Sequence, residues 1–298
     1  MKKTKNNPII GTVYVLLAAI FWGTIGLYVR RLSAAGLTTW DIALTRMGIG
    51  LAAMAIYLLL FQREKLAIRW QDLWLFAGTG ILSLLCMNYC YTEAVQATSL
   101  AIAGTLLYTA PTFVMLFSLL FFREAMTKKK LLALVLAFCG CALVSGIARG
   151  QLSLTPRAFL LGLGSGLSYA LYSIFSRAAL ERGYDSWTIT FYSFVFCAIA
   201  CLLLASPGRI AVCAIENPAL LLPTALLGLT TGFAAYLLYT RGLCCLEAGR
   251  ASIIASLELV AGALVGVIAY REHIGFDGII GILLLLCAVS VLSLHREK

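Results

Sequence analysis

The chain has 298 residues, 61% of them hydrophobic and only 12% charged, and its mean hydropathy is +0.95. Soluble domains carry about 25% charged residues, so disorder, collagen, coiled coil and an ordinary soluble enzyme are all excluded. The formal charge of +10 sits between apolar runs and not on a basic surface interleaved with aromatics, so it reads as membrane topology and not as nucleic-acid binding.

A helix that crosses a bilayer needs about 20 mostly apolar residues. Ten stretches qualify: residues 8–29, 40–60, 73–93, 98–122, 130–147, 157–177, 187–205, 219–240, 247–270 and 274–294. Lys2, Lys3 and Lys5 before the first stretch resemble the start of a secretory signal. That apolar run is too long for one, and further spans follow, so an uncleaved first helix is expected. Trp40-Asp41 opens the second span, and Arg123 with Lys128, Lys129 and Lys130 closes off the fourth. Thr155-Pro156-Arg157 precedes the sixth, and Pro207-Gly208 and Pro218 bracket the connection from the seventh to the eighth. Pro111, inside the fourth span, lacks an N–H and is expected to bend it. No connection is long enough for a folded soluble domain, so function must reside among the helices.

Orientation follows from Lys and Arg in the short connections. With the N-terminus in the cytoplasm, 16 basic residues fall inside and 6 outside, and Arg46 lies within span 2. Both termini are expected to be cytoplasmic, in the plasma membrane. The ten cysteines lie mostly in apolar runs, there is no C-x-x-C, and His273 and His295 sit at helix ends. They read as small apolar filler, with no metal site or cofactor expected. No phosphate-binding G-x-x-x-x-G-K-[ST] loop occurs, so no ATP use is expected.

The chain repeats itself. A shift of 147 lays Arg30 on Arg177, Gly36 on Gly183 and Trp40 on Trp187. A shift of 148 lays Tyr91-Thr92 on Tyr239-Thr240, Ala103 on Ala251, Arg123-Glu124 on Arg271-Glu272 and Cys139 on Cys287. The expected units are residues 1–150 and 151–298, each with five spans. Five is odd, so the second unit enters the membrane from the opposite face. Inverted repeats of this kind are a device for alternating access around one central site. The expected fold is therefore an all-α integral membrane protein with ten transmembrane helices, arranged as an inverted repeat of two five-helix halves.

Phe21-Trp22-Gly23 in span 1, Arg46 in span 2, Thr109-Ala110-Pro111 with Arg123-Glu124 in span 4, and Glu258 with Arg271-Glu272 in span 9 occur in this order, the Arg-Glu pair twice. In these the chain resembles, over nearly its whole length, the EamA-type ten-helix members of the drug/metabolite transporter superfamily. The resemblance implies a carrier for small metabolites, amino acids often among them, with export the leading direction and import the alternative. Leu259 follows Glu258 where the family often has proline, leaving span 9 without that source of a kink.

Charge inside a bilayer costs at least a few kcal/mol at a helix centre, so two intramembrane residues stand out. Glu258 lies about eleven residues into span 9, near the midplane. It could carry a proton, attract an amine, or serve as a structural partner of Arg46. Arg46 lies about six residues into span 2, roughly 9 Å deep at the helical rise. It reads as structural or gating, with snorkelling to the outer headgroups within reach. An aromatic set accompanies them. Asn88 and Tyr91 share one face of span 3, and Tyr236 and Tyr239 do the same on span 8. Trp22 aligns with Tyr169, and Tyr108 with Ser256. Such positions would ring a cavity that takes both apolar and cationic groups. Trp40, Trp70, Trp74 and Trp187 read as interface anchors. The glycine pairs Gly162/Gly166, Gly228/Gly232 and Gly262/Gly266 read as close-packing faces.

The leading expectation is a secondary transporter and not an enzyme. Its partners would be a small-molecule substrate, membrane lipid and protons as a candidate coupling ion. Oligomeric state is left open. The alternatives are a signalling or scaffold protein without transport, which would lack a polar central cavity, and a membrane-embedded enzyme, which would need an acid/base pair or metal set at membrane depth.

Overall fold

The computed structural model describes residues 7–145 and 155–293. All regular structure among the described residues is helical. Seven helical rods are long and apolar enough to cross a membrane. They are α1 (Pro8–Ala34), α2 (Thr39–Phe61), α3 (Trp70–Ala97), α4 (Ile102–Phe122), α6 (Pro156–Glu181), α8 (Pro218–Leu243) and α9 (Ala248–Tyr270). Three shorter apolar rods complete the bundle: α5 (Lys128–Val144, 17 residues), α7 (Ser186–Cys201, 16 residues) and α10 (Phe276–Ser293, 18 residues). The rods follow the ten expected spans in order. The tally of basic residues also used Lys2, Lys3, Lys5, Arg149, Arg296 and Lys298, and the boundary at 150/151 falls between the units; these lie outside the described residues.

Local chemistry sets the ends. Asn7, Thr38, Thr127, Thr155, Asp185 and Ser206 cap helix starts with side-chain oxygens, satisfying N–H groups that have no intrahelical partner. α1 and α6 both stop at a glycine in the left-handed region, Gly36 at φ +89° and Gly183 at φ +88°, where a Cβ would be strained. α4 and α9 both end at an arginine with φ +55°, Arg123 and Arg271. These paired terminations fall at the two sequence shifts.

Two further irregularities are also paired. α3 and α8 each contain a π-helical stretch, Gly78–Leu85 and Leu227–Ala234. Gly80 in the first lies against α7 at Phe196 and the Ser193 carbonyl, and Gly228 in the second against α2 at Ile49. α4 breaks at Tyr108–Thr109 and α9 at Ser256–Leu257. The α4 break lies just before Pro111, in line with the bend the sequence suggested; Pro111 sits in the first turn of the segment Ala110–Phe122, where its missing N–H costs nothing. The α9 break forms without proline. There the Ser256 hydroxyl donates to the Ile253 carbonyl at 2.6 Å, and hydroxyl back-bonding of this kind bends helices.

The connection from α7 to α8 is more structured than a loop. It holds a short helix, Pro207–Glu216. Asp41 anchors it by accepting the Ser206 N–H at 2.8 Å and pairing with Arg209 at 3.4 Å. Among the described residues, every ion pair that joins two different connections links ones that alternate crossing places at the same end. Arg30–Glu272, Glu93–Arg157 and Asp41–Arg209 lie at one end. Lys65–Asp185, Asp72–Arg182 and Lys130–Glu247 lie at the other.

Around the central core of Met47, Met54, Phe194 and Leu243, large apolar side chains point outward. Phe61, Phe121, Leu160 and Ile268 are all exposed. In water that surface would be a severe liability; against lipid tails it is the expected finish.

Candidate functional site

A cavity of about 500 Å³ opens at the Arg30–Glu272 end. It is built from the second half of α1, α3, the break of α4, the second segment of α9, and single side chains of α2, α5, α6 and α8. Trp22, Arg46, Asn88, Tyr91, Tyr108, Tyr169, Tyr236 and Glu258 all line it. Pro111, Tyr239 and Ser256 do not; they lie one layer beyond, around a much smaller space shared with Tyr108 and Tyr169.

The breaks explain how polar groups reach the site. Glu258 is the first residue of the second segment of α9. Its Oε1 accepts from the Tyr108 hydroxyl at 2.9 Å and the Tyr169 hydroxyl at 3.3 Å. Both breaks thus meet at one carboxylate. Gly162 and Gly166 let α6 close on α4, for a Cβ at Gly166 would stand 2.8 and 3.0 Å from the Leu106 and Leu107 carbonyl oxygens.

Arg46 does not use the snorkelling within its reach: only 8% of it is exposed, and it lines the cavity. Its Nε is buried without a partner. Nor is it paired with Glu258, since no ion pair within 4 Å joins them among the described residues. A guanidinium and a carboxylate therefore line the same cavity without neutralising each other, which in a low-dielectric site is costly unless a ligand completes them. The Trp22 Nε1 is likewise buried without a partner.

Beyond the cavity the path is blocked. Trp22 packs on Tyr236 and Tyr239, with ring centroids 5.1 and 5.3 Å apart. Tyr172 packs on Tyr236 at 5.1 Å, and Phe194 on Tyr236 at 5.4 Å. The phenols are tied down, Tyr172 to Thr240 at 3.0 Å and Tyr239 to Ser173 at 2.7 Å. Behind this plug the far end is clasped. Asp72 receives Arg69, Arg182 and the Tyr184 hydroxyl, and Glu124 accepts the Ala248 N–H at 3.1 Å. Glu124 lies outside the spans, and burial pushes its carboxyl above the usual range, with the Ala248 N–H pulling the other way.

Sequence reasoning missed the mouth. Arg30 pairs with Glu272 at 2.5 Å and lies 4.5 Å from the centre of the Tyr270 ring. The available signal was duplication, since these residues are the repeat mates of Arg177 and Glu124. It also missed Tyr172 in the plug. Trp187 is corrected too: it is buried, not interfacial, stacked on Tyr57 at 4.5 Å with Arg241 over its ring. Trp70 and Trp74 are exposed as interface anchors should be.

Comparison with known proteins agrees with this architecture. The model of the EamA-like transporter family matches residues 9–146 and again 156–294. An uncharacterized transporter of Archaeoglobus fulgidus is 28% identical over 94% of this chain and 95% of its own length. The uncharacterized transporter YwfM of Bacillus subtilis is 27% identical over 97% and 95%. A crystal structure superposes with a TM-score of 0.74 at 18% identity, covering 95% of this chain and 96% of that one, which shows a shared fold. A helical membrane bundle whose irregularities come in pairs, matched twice by one family model, is a transporter: the chain belongs to the EamA-like transporter family, within the drug/metabolite transporter superfamily.

Proposed function

We propose that this transporter is a secondary active carrier that exports small organic metabolites, amino acids or related compounds, across the plasma membrane by alternating access. The observation that carries the reading is that Arg46 and Glu258 line one cavity without forming an ion pair with each other. A zwitterion would complete both, its carboxylate on the guanidinium and its ammonium on Glu258, with Tyr91, Tyr108, Tyr169 and Trp22 around the rest. Two inverted units, residues 1–150 and 151–298, with ten crossings and both termini cytoplasmic, supply the two access states. The paired breaks, π-helical stretches and left-handed terminations support that division, and the ion pairs between connections support the alternation. The polar cavity argues against a scaffold without transport.

The proposed coupling ion is a proton carried on Glu258. A carboxylate in an apolar site can exchange charge compensation between proton and ligand amine. The test is flux of labelled amino acids in proteoliposomes, with and without a pH gradient. Glu258→Gln keeps an acceptor for Tyr108 and Tyr169 but mimics the protonated form, so folding is retained and gradient-driven accumulation is lost. Unchanged coupled flux in this variant would exclude the proton role.

A further inference from the structure

We infer that Glu272 is a switch residue of the transport cycle: when the cavity closes at its open end, Glu272 leaves Arg30 and binds the Leu100 N–H in the turn that leads into α4. The inference rests on the alternating access proposed above. It comes from comparing two copies of one motif in a structure that is closed at one end and open at the other.

The backbones of the copies are the same. Arg123 and Arg271 both have φ +55°, with ψ +29° and +33°. The next N–H, of Glu124 or Glu272, donates 3.2 Å back to Ser118 or Gly266, and these acceptors are themselves related by the shift of 148. The partners of the side chains differ. At the closed end the Glu124 carboxylate accepts the Ala248 N–H at 3.1 Å. Ala248 is the first residue of α9, and the residue before it, Glu247, makes no side-chain cap bond. Glu124 thus caps α9 from across the connection. At the open end Glu272 makes no such bond and pairs with Arg30 instead.

The arginines follow the same rule. Arg177 at the closed end donates to the Leu243 carbonyl at 3.0 Å, beside the same turn that Glu124 holds. Its repeat mate at the open end is Arg30. So at the closed end the arginine and the glutamate each bind the backbone of the α8–α9 turn, whereas at the open end they bind each other. Applying the shift of 148 to the closed-end partners gives the Leu100 N–H for Glu272 and the Val95 carbonyl for Arg30. The exchange trades a half-exposed ion pair, which contributes little, for bonds that seal the turn between α3 and α4.

The test reads how often the mouth is open. Position 263 lines the cavity. In an Ala263→Cys background, its modification by an impermeant maleimide applied from the Glu272 side is quantified by peptide mass spectrometry, so native cysteines can remain. Loss of one backbone bond corresponds to a roughly fivefold change in the equilibrium. Glu124→Ala weakens the closed end and slows modification, by up to about fivefold. Glu272→Ala weakens the state in which the mouth is shut and speeds modification, by up to about fivefold. Glu272→Gln loses the ion pair with Arg30 but keeps an oxygen that accepts an N–H, so it stays near the parent rate. Thermal unfolding in detergent confirms that each variant is folded. If Glu124→Ala slows modification while Glu272→Ala does not speed it, the switch is wrong and alternating access stands. If Glu272→Gln behaves as Glu272→Ala, charge pairing is the whole role and the capping is refuted. If neither alanine variant moves the rate and no substrate flux is found, alternating access itself fails.

Discussion

Replacing Arg46 with methionine should make the protein more stable and less able to bind its substrate. Arg46 is 8% exposed, and its Nε is buried without a hydrogen-bond partner. Leaving such a group unsatisfied costs about 1–3 kcal/mol. Methionine keeps the apolar stem and removes the uncompensated charge. With a melting shift of about 2–4 °C per kcal/mol for chains of this order of size, Arg46→Met should raise Tm by roughly 2–12 °C. Binding should move the other way. Truncating one partner of a desolvated charge pair costs about 2–5 kcal/mol, so affinity for a carboxylate-bearing substrate should fall by roughly 30-fold or more. Unfolding followed by tryptophan fluorescence in detergent gives the first quantity, and equilibrium binding of labelled amino acids gives the second. A lower Tm would mean that the guanidinium holds the helices together. The claim that it is kept for a ligand would then be wrong.

Other substitutions test the architecture. Asp72 is the shared acceptor for Arg69, Arg182 and Tyr184; Asp72→Ala removes all three bonds at once and should lower Tm, although solvent screens the two arginines. Gly166→Val would push a side chain into the Leu106 and Leu107 carbonyl oxygens and should cost about 1–3 kcal/mol or more. As its control, Gly208→Ala meets nothing within 4 Å and should leave Tm unchanged.

The sequence by itself determined the membrane class, the order of the ten apolar rods, the duplication, and most of the cavity lining, including Trp22, Tyr108, Tyr169, Tyr236 and Glu258. Hydropathy and helical periodicity are local properties, so a continuous stretch of chain records them. An intramembrane charge is rare enough to mark its own position. The tertiary structure alone decided how those residues meet. It showed that α9 breaks beside Glu258 without a proline, at a serine whose hydroxyl binds the Ile253 carbonyl. It placed Arg46 in the cavity without a partner, and found a helix in the connection after α7, tied down by Asp41. Which end is open was also its decision. Arg30 and Glu272 are separated by 242 residues, and their pairing depends on the packing of α1 against α9. The repeat lays Arg30 on Arg177 and Glu272 on Glu124, yet the members of each couple have different partners. That asymmetry belongs to the tertiary packing, and two similar stretches of sequence carry no record of which end is open.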